Sequence, residues 1–184
     1  MIARALALAL AASACLMAGG CSRADPSGLE APVHGRIVSV ADGDTITVRL
    51  DTGERRRVRL LAIDSPEKYP TRYEGPEECG SLAASAFMER FTGREVVLVS
   101  DPSQDALDGY GRLLRYVQLQ DGIDLGASVL ARGLAMPYVF AVPAHRSGRY
   151  RDLAERARAV GRGSWGAPCG GDFHSSLPGV QDGL

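Results

Sequence analysis

The chain has 184 residues, with 21 Lys+Arg against 22 Asp+Glu and a formal net charge of −1. This is enough for one domain with a real core, and the absence of an internal repeat excludes a solenoid or propeller. The balanced charge excludes a globally basic nucleic-acid binder, so any affinity for a polyanion has to be local.

In chain order, the first element is a targeting segment over residues 1–20. Arg4 supplies a positive start, and Ala5 to Ala18 is almost wholly apolar but short for a membrane span. Ala18-Gly19-Gly20 then precedes Cys21. Two readings stand: an ordinary secretory signal cleaved at a small residue, or a lipoprotein signal with Cys21 as the lipidated N-terminus. Leu16, rather than the Leu three residues before the cysteine that lipoproteins favour, is a departure from the second. Residues 21–32 read as a flexible tether, and 33–169 as the folded domain. Val33 to Val40, Thr45 to Leu50 and Glu54 to Ile63 carry strand character, separated by the turns Asp42-Gly43 and Asp51-Thr52-Gly53. Lys68 to Glu78 is a loop. Ser81 to Phe91 has helical spacing, Glu95 to Ser100 reads as a strand, and Pro102 to Gly111 as a polar loop. Arg112 to Gln120 is a fifth strand. Asp124 to Arg132 is a short helix closed by Gly133, and Tyr150 to Val160 is another. Residues 170–184 read as a disordered tail. The class is α+β: five strands opening as a meander, with about three helices.

Cysteine arithmetic supports export. With Cys15 in the leader, Cys21, Cys79 and Cys169 remain. In an oxidising compartment even numbers pair, so Cys79 is expected to join Cys169, and Cys21 is left for lipid.

The chemistry concentrates in three pieces: Asp42-Gly43-Asp44-Thr45, Arg59-Leu60-Leu61-Ala62-Ile63-Asp64-Ser65-Pro66-Glu67 and Asp108-Gly109-Tyr110-Gly111-Arg112. Together they hold carboxylate oxygens, which suit a hard cation, and guanidinium forks, which suit a phosphodiester. Asp44 and Asp64 are expected on one rim, and two close carboxylates repel unless a cation or an arginine sits with them. Pro66 restricts Ser65 to extended backbone, which helps aim Asp64 and Glu67. Arg55, Arg57 and Arg59 share a strand face, with Arg55 to Arg57 read as a solvated surface. The three histidines, His34, His145 and His174, have no metal-site spacing, and His145 is expected to be structural or exposed. Trp165 is expected to pack near Cys169.

These pieces, with Gly133-Leu134-Ala135 and Ser164-Trp165, resemble the staphylococcal nuclease (thermonuclease) family from about Val33 to Trp165. The resemblance implies a five-stranded OB-type barrel with helices packed around it. It implies calcium-dependent hydrolysis of DNA and RNA, leaving 3′-phosphates. The ion would be held by Asp44, Asp64 and the Ser65 carbonyl, with Asp42 in support. Glu67 would be the general base, Arg59 and Arg112 the phosphate clamps, and Tyr110 and Tyr138 would line the nucleotide pocket. Phe140 stands where the family has Tyr, and Gly109 where it has a lysine near the terminal phosphate. The remaining alternatives are a non-catalytic OB module binding nucleic acid or protein, and an envelope carbohydrate-binding barrel. The protein is expected to be a monomer in the cell envelope or secreted, touching membrane only through lipid on Cys21.

Overall fold

The computed structural model describes residues 31–68 and 79–173. The leader, Cys21 and His174 lie outside the described residues. Strands β1 (Val33–Val40), β2 (Thr45–Leu50), β3 (Arg55–Leu60), β5 (Glu95–Val99) and β6 (Leu113–Leu119) form a closed barrel in the order β1-β2-β3-β6-β5. All its pairings are antiparallel except β3 with β6, which is parallel. Helices α1 (Ser81–Glu89), α2 (Leu125–Ala131) and α3 (Ser147–Ala159) complete the OB-type α+β architecture. No helix among the described residues is long and apolar enough to cross a membrane.

Alternation along the strands builds the core. Ile37, Ile46, Val48, Val58, Leu98 and Val117 point inward and are at most 1% exposed. Burying each such side chain is worth about 1.5–3 kcal/mol. Asp124 caps α2 by accepting from the Ala127 N–H at 3.0 Å, and its carboxylate also takes the Tyr150 hydroxyl at 2.8 Å and Arg146 at 2.8 Å. One carboxylate therefore starts α2 and ties it to α3. Gly126 permits this packing, because a Cβ there would meet the Tyr150 Oη at 2.8 Å.

The strand expected over 54–63 breaks in two. Leu61 and Ala62 form a turn, and a two-residue strand β4 (Ile63–Asp64) pairs with β7 (Met136–Pro137) in a separate sheet. Ala62 sits in the left-handed region at φ 61°, unusual for a residue with a Cβ. The reversal is held by Leu61 N–H to Arg115 C=O at 3.0 Å and Tyr138 N–H to Ala62 C=O at 3.0 Å. Apolar periodicity cannot show this break, since every residue from Val58 to Ile63 is buried on one side of it or the other.

Cys79, just before α1, forms a disulfide with Cys169, with Cα atoms 5.6 Å apart. Residues 170–173 pack with the domain: Phe173 is 1% exposed and sits edge-on to Trp165 at 4.7 Å between ring centroids. The rest of the expected tail lies outside the described residues.

Candidate active site

The β1–β2 turn is built by its own side chains. Asp42 accepts from the backbone N–H of Asp44 at 3.1 Å and of Thr45 at 2.7 Å, which curls the chain and throws Asp44 inward. Gly43 is required by close approach: a Cβ would meet Ala84 Cβ at 2.7 Å and Ser65 Cβ at 2.8 Å. The turn is thereby pressed between α1 and the segment after β4. Asp44 is 1% exposed. Its Oδ2 accepts from the Ser65 N–H at 2.7 Å, and its Oδ1 from Thr45 Oγ1 at 3.0 Å.

Arg59 closes the other side. It is 7% exposed, and its Nε lies 3.1 Å from Asp44 Oδ1 while its Nη2 donates to Asp64 Oδ1 at 2.7 Å. Its Nη1 donates to the carbonyls of Leu60 at 3.0 Å and Ile63 at 2.7 Å. One guanidinium thus bridges the two carboxylates and fastens the chain reversal that carries Asp64 back to them. The Ala62 turn and Arg59 explain each other: without the reversal Asp64 would continue along β3, away from Asp44.

Arg112 enters from the start of β6. Its Nη1 reaches Thr45 Oγ1 at 3.3 Å, and its Nε donates to Asp108 Oδ2 at 2.5 Å. Asp108 also accepts the N–H groups of Tyr110 and Arg112, each at 2.9 Å. Burial opposes its charge, yet these bonds hold its carboxyl below the usual carboxylate range. Asp108 is thus the residue that aims Arg112, and its signal in the sequence is an Asx-turn position ahead of glycine. Thr45 is a second functional position, one to which the motifs alone give no role: its hydroxyl links Asp44 to Arg112.

The remaining candidates fall around this centre. Tyr138 follows β7, whose Met136 pairs with Asp64. Tyr138 and Phe140 are both 40% exposed and meet edge-on at 4.7 Å. Tyr110 is 85% exposed, with the Arg112 guanidinium 5.3 Å over its ring. Glu67 is half-buried, two residues beyond Ser65. His145 is apart from the centre. Its Nδ1 lies 2.5 Å from Asp101, a buried carboxylate that also takes the Tyr116 hydroxyl at 2.6 Å and Ser103 Oγ at 2.7 Å.

Burial first, and then the charge of Asp44, push Asp42 up to about 6, against the backbone hydrogen bonds it accepts. Carboxylates at 44 and 64 share a single bridging arginine, so this pair carries excess negative charge when both are ionised. Its donors are oxygens, the set a hard cation takes, with no thiolate or imidazole among them. Among the described residues no three His, Cys, Asp or Glu side chains cluster as a metal cage. A cation here would rest on two carboxylates completed by backbone oxygen and water. The Ser65 hydroxyl, buried without a hydrogen-bond partner among the described residues, leaves a further oxygen beside them. The donor set fits calcium.

Residues 57–167 match the model of the staphylococcal nuclease homologue family. The chain belongs to the staphylococcal nuclease family. The match begins after Asp44, so the place of Asp44 in the centre rests on its bonds to Arg59 and Ser65. The chain is 35% identical over 126 residues to the thermonuclease of Staphylococcus intermedius, covering 66% of this chain and 67% of that one. It is 32% identical over 108 residues to an uncharacterized endonuclease of Escherichia coli O157:H7, covering 59% and 63%. A 117-residue stretch is 27% identical to Endonuclease YhcR of Bacillus subtilis, covering 61% of this chain and 10% of that protein. The chain thus spans less than two thirds of the E. coli relative.

Proposed function

We propose that this protein is an exported, calcium-dependent nuclease that hydrolyses phosphodiester bonds in DNA and RNA. The observation that carries the reading is Arg59 bridging Asp44 and Asp64 while Arg112 reaches Thr45 on the same rim. Two guanidiniums and two carboxylates on one rim are more than a passive binding face requires. The nuclease names of the S. intermedius, E. coli and B. subtilis relatives support it. Export is supported by the Cys79–Cys169 disulfide, a bond that persists in oxidising compartments. Lipid on Cys21 and a monomeric state belong to the same proposal.

Asp44, Asp64 and the Ser65 carbonyl would hold calcium, which supplies positive charge beside the phosphate when bound. Glu67 takes a proton from the attacking water as its oxygen bonds to phosphorus. The bond from phosphorus to the 5′-oxygen breaks, that oxygen is protonated by solvent, and the phosphate stays on the 3′ side. Arg112 opposes the charge that gathers on the phosphoryl oxygens, and Asp108 keeps its fork in place. Arg59 adds positive charge on the opposite side and holds Asp64 in line. Tyr110 and Tyr138 offer ring faces to the flanking base and sugar.

The test is degradation of single-stranded DNA by purified residues 22–184 with calcium and with chelator. Cleavage that stops in chelator and returns with calcium is expected. Glu67→Gln is expected to lower turnover by about 100-fold, within the general-base range, with little change in substrate affinity. Full cleavage in chelator would remove calcium from the proposal.

A further inference from the structure

The candidate centre does not end at Arg59. On β2 and β3 the cross-strand partners are Thr45 with Arg59, Thr47 with Arg57 and Arg49 with Arg55, and Arg49 is in turn opposite Arg36 on β1. Thr45 and Arg59 belong to the centre, so the residues two and four positions along each strand occupy the same outer face. Arg49, Arg55 and Arg57 are exposed, while the alternate partners Ile46 and Val58 point into the core. With about 3.3 Å of rise per residue, Arg57 and Arg55 stand about 7 and 13 Å along β3 from Arg59. Arg49 lies about 5 Å across from Arg55.

This row is electrostatically unusual. Like charges directly opposite one another destabilise a sheet, and Arg49 faces Arg55 on one side and Arg36 on the other. A solvated strand face ordinarily mixes signs, and this chain has acidic residues to spare, 22 in all. Yet neither β2 (Thr45–Leu50) nor β3 (Arg55–Leu60) contains one. The nearby carboxylates are at the far rim: Glu95 pairs with Arg36, Glu54 with Arg56, and Asp51 begins the β2–β3 turn. Among the described residues no ion pair or hydrogen bond engages the side chains of Arg49, Arg55 or Arg57. Arg57 and Arg55 thus lead away from the phosphate clamp without an ion partner among the described residues, and Arg49 ends the row at a cavity it lines with Asp51 and Glu95, in a molecule whose net charge is −1.

We propose that the outer face of β2 and β3, through Arg57, Arg55 and Arg49, is a track for the phosphates of a single-stranded polynucleotide extending from the cleavage site. This deepens the nuclease reading and rests on it. The line is one strand wide and begins at the clamp, where Tyr110 and Tyr138 present ring faces to unstacked bases. A duplex would instead need basic groups on two flanks. The track makes the enzyme favour long single strands over short ones, because each arginine engages a phosphate that a short substrate lacks.

The experiment measures fluorescence anisotropy of a fluorescein-labelled thymidine dinucleotide, whose single phosphate fills only the clamp, and of oligo(dT) of about 16 nucleotides, the upper end of OB-fold sites, with the mature protein (residues 22–184) in chelator so that nothing is cleaved. The triple variant Arg49→Gln/Arg55→Gln/Arg57→Gln is compared with the wild type across salt concentration. The wild type is expected to bind the longer oligomer at least tenfold more tightly than the shorter. The variant is expected to lose that advantage, with a slope of log affinity against log salt shallower by about 2, since each phosphate that an arginine no longer neutralises removes about 0.7. Its Tm is expected to equal or exceed the wild type's, since like-charge repulsion has been removed; if the triple variant fails to fold, Arg55→Gln alone is expected to shift the same slope by about 0.7. Equal affinity and slope in variant and wild type would overturn the track, as would equal losses on a blunt hairpin duplex. The nuclease reading is judged separately, from calcium-dependent cleavage by the wild type, so either can fail while the other stands.

Discussion

Arg59 and Arg112 both face the same phosphate in the proposed reaction, but their structural duties differ, and stability separates them. Arg59 is 7% exposed and neutralises Asp44, which is 1% exposed. It also fastens the Leu60 and Ile63 carbonyls of the chain reversal. Arg59→Met leaves Asp44 as a buried charge without its ion partner, and breaking one side of a buried pair costs about 3–5 kcal/mol. That is a large share of the roughly 5–15 kcal/mol that holds a domain together. A loss of about 4 kcal/mol lowers Tm by on the order of 12 °C in a domain of this size. Arg112→Met is milder, because Asp108 keeps the two backbone N–H groups it accepts, and about 1–2 kcal/mol is the expected loss. The assay is urea unfolding followed by circular dichroism, in chelator so that bound cation does not add to stability. In Arg59→Met/Asp44→Asn the buried charge is gone, and part of the loss is expected to return. If Arg59→Met costs no more than Arg112→Met, or if Asp44→Asn restores nothing, the bridging role of Arg59 is wrong.

Arg112→Lys keeps the charge but loses the fork that holds both Asp108 and Thr45; turnover on DNA is expected to fall about 100-fold, and near-full turnover would reduce Arg112 to a steering charge. Burial raises the Asp101 carboxyl, but hydrogen bonds from Tyr116, His145 and Ser103 outweigh it and hold the group well below the usual carboxylate range. A lowered folded-state value contributes stability that is fully present above about pH 4, the unfolded value, and is lost as pH falls below it. Asp101→Asn is therefore expected to be less stable than the wild type at pH 7 and to lose less between pH 7 and pH 3; equal losses in urea midpoint would refute this. The Cys79–Cys169 bond spans 90 residues of sequence, and removing it with Cys79→Ser/Cys169→Ser is expected to cost roughly 4 kcal/mol, read as a lower urea midpoint with a steeper slope, because the uncrosslinked unfolded chain exposes more surface.

The order of strands and helices is legible from period, as in the alternation through Ile46, Val48 and Val58. In α1, however, the spacing of Leu82, Ala86 and Phe87 marks a helix and not its buried face, which is Ala84, Ser85, Phe87 and Met88, with Leu82 52% exposed. What is not legible depends on side chains acting on distant backbone. The break at Leu61–Ala62 is invisible to periodicity, since a run buried on both sides has no polar face to mark a turn. It exists because the Arg59 guanidinium supplies donors to the carbonyls that the turn frees. The same guanidinium then meets Asp64, so the kink and the candidate centre are one physical object. A local pattern can name Asp44, Arg59 and Asp64 as candidates, but their convergence needs the reversal, and the reversal needs Arg59. The arginine row is hidden for a related reason. Within β3 alone, Arg55 and Arg57 look like an ordinary solvated edge, and only the register with Thr47, Arg49 and Arg36 shows that no carboxylate faces them. A fold that tolerates such opposed charges at the mouth of a phosphate clamp has left them for a ligand to neutralise, and a polyanion threaded from that clamp reaches all three.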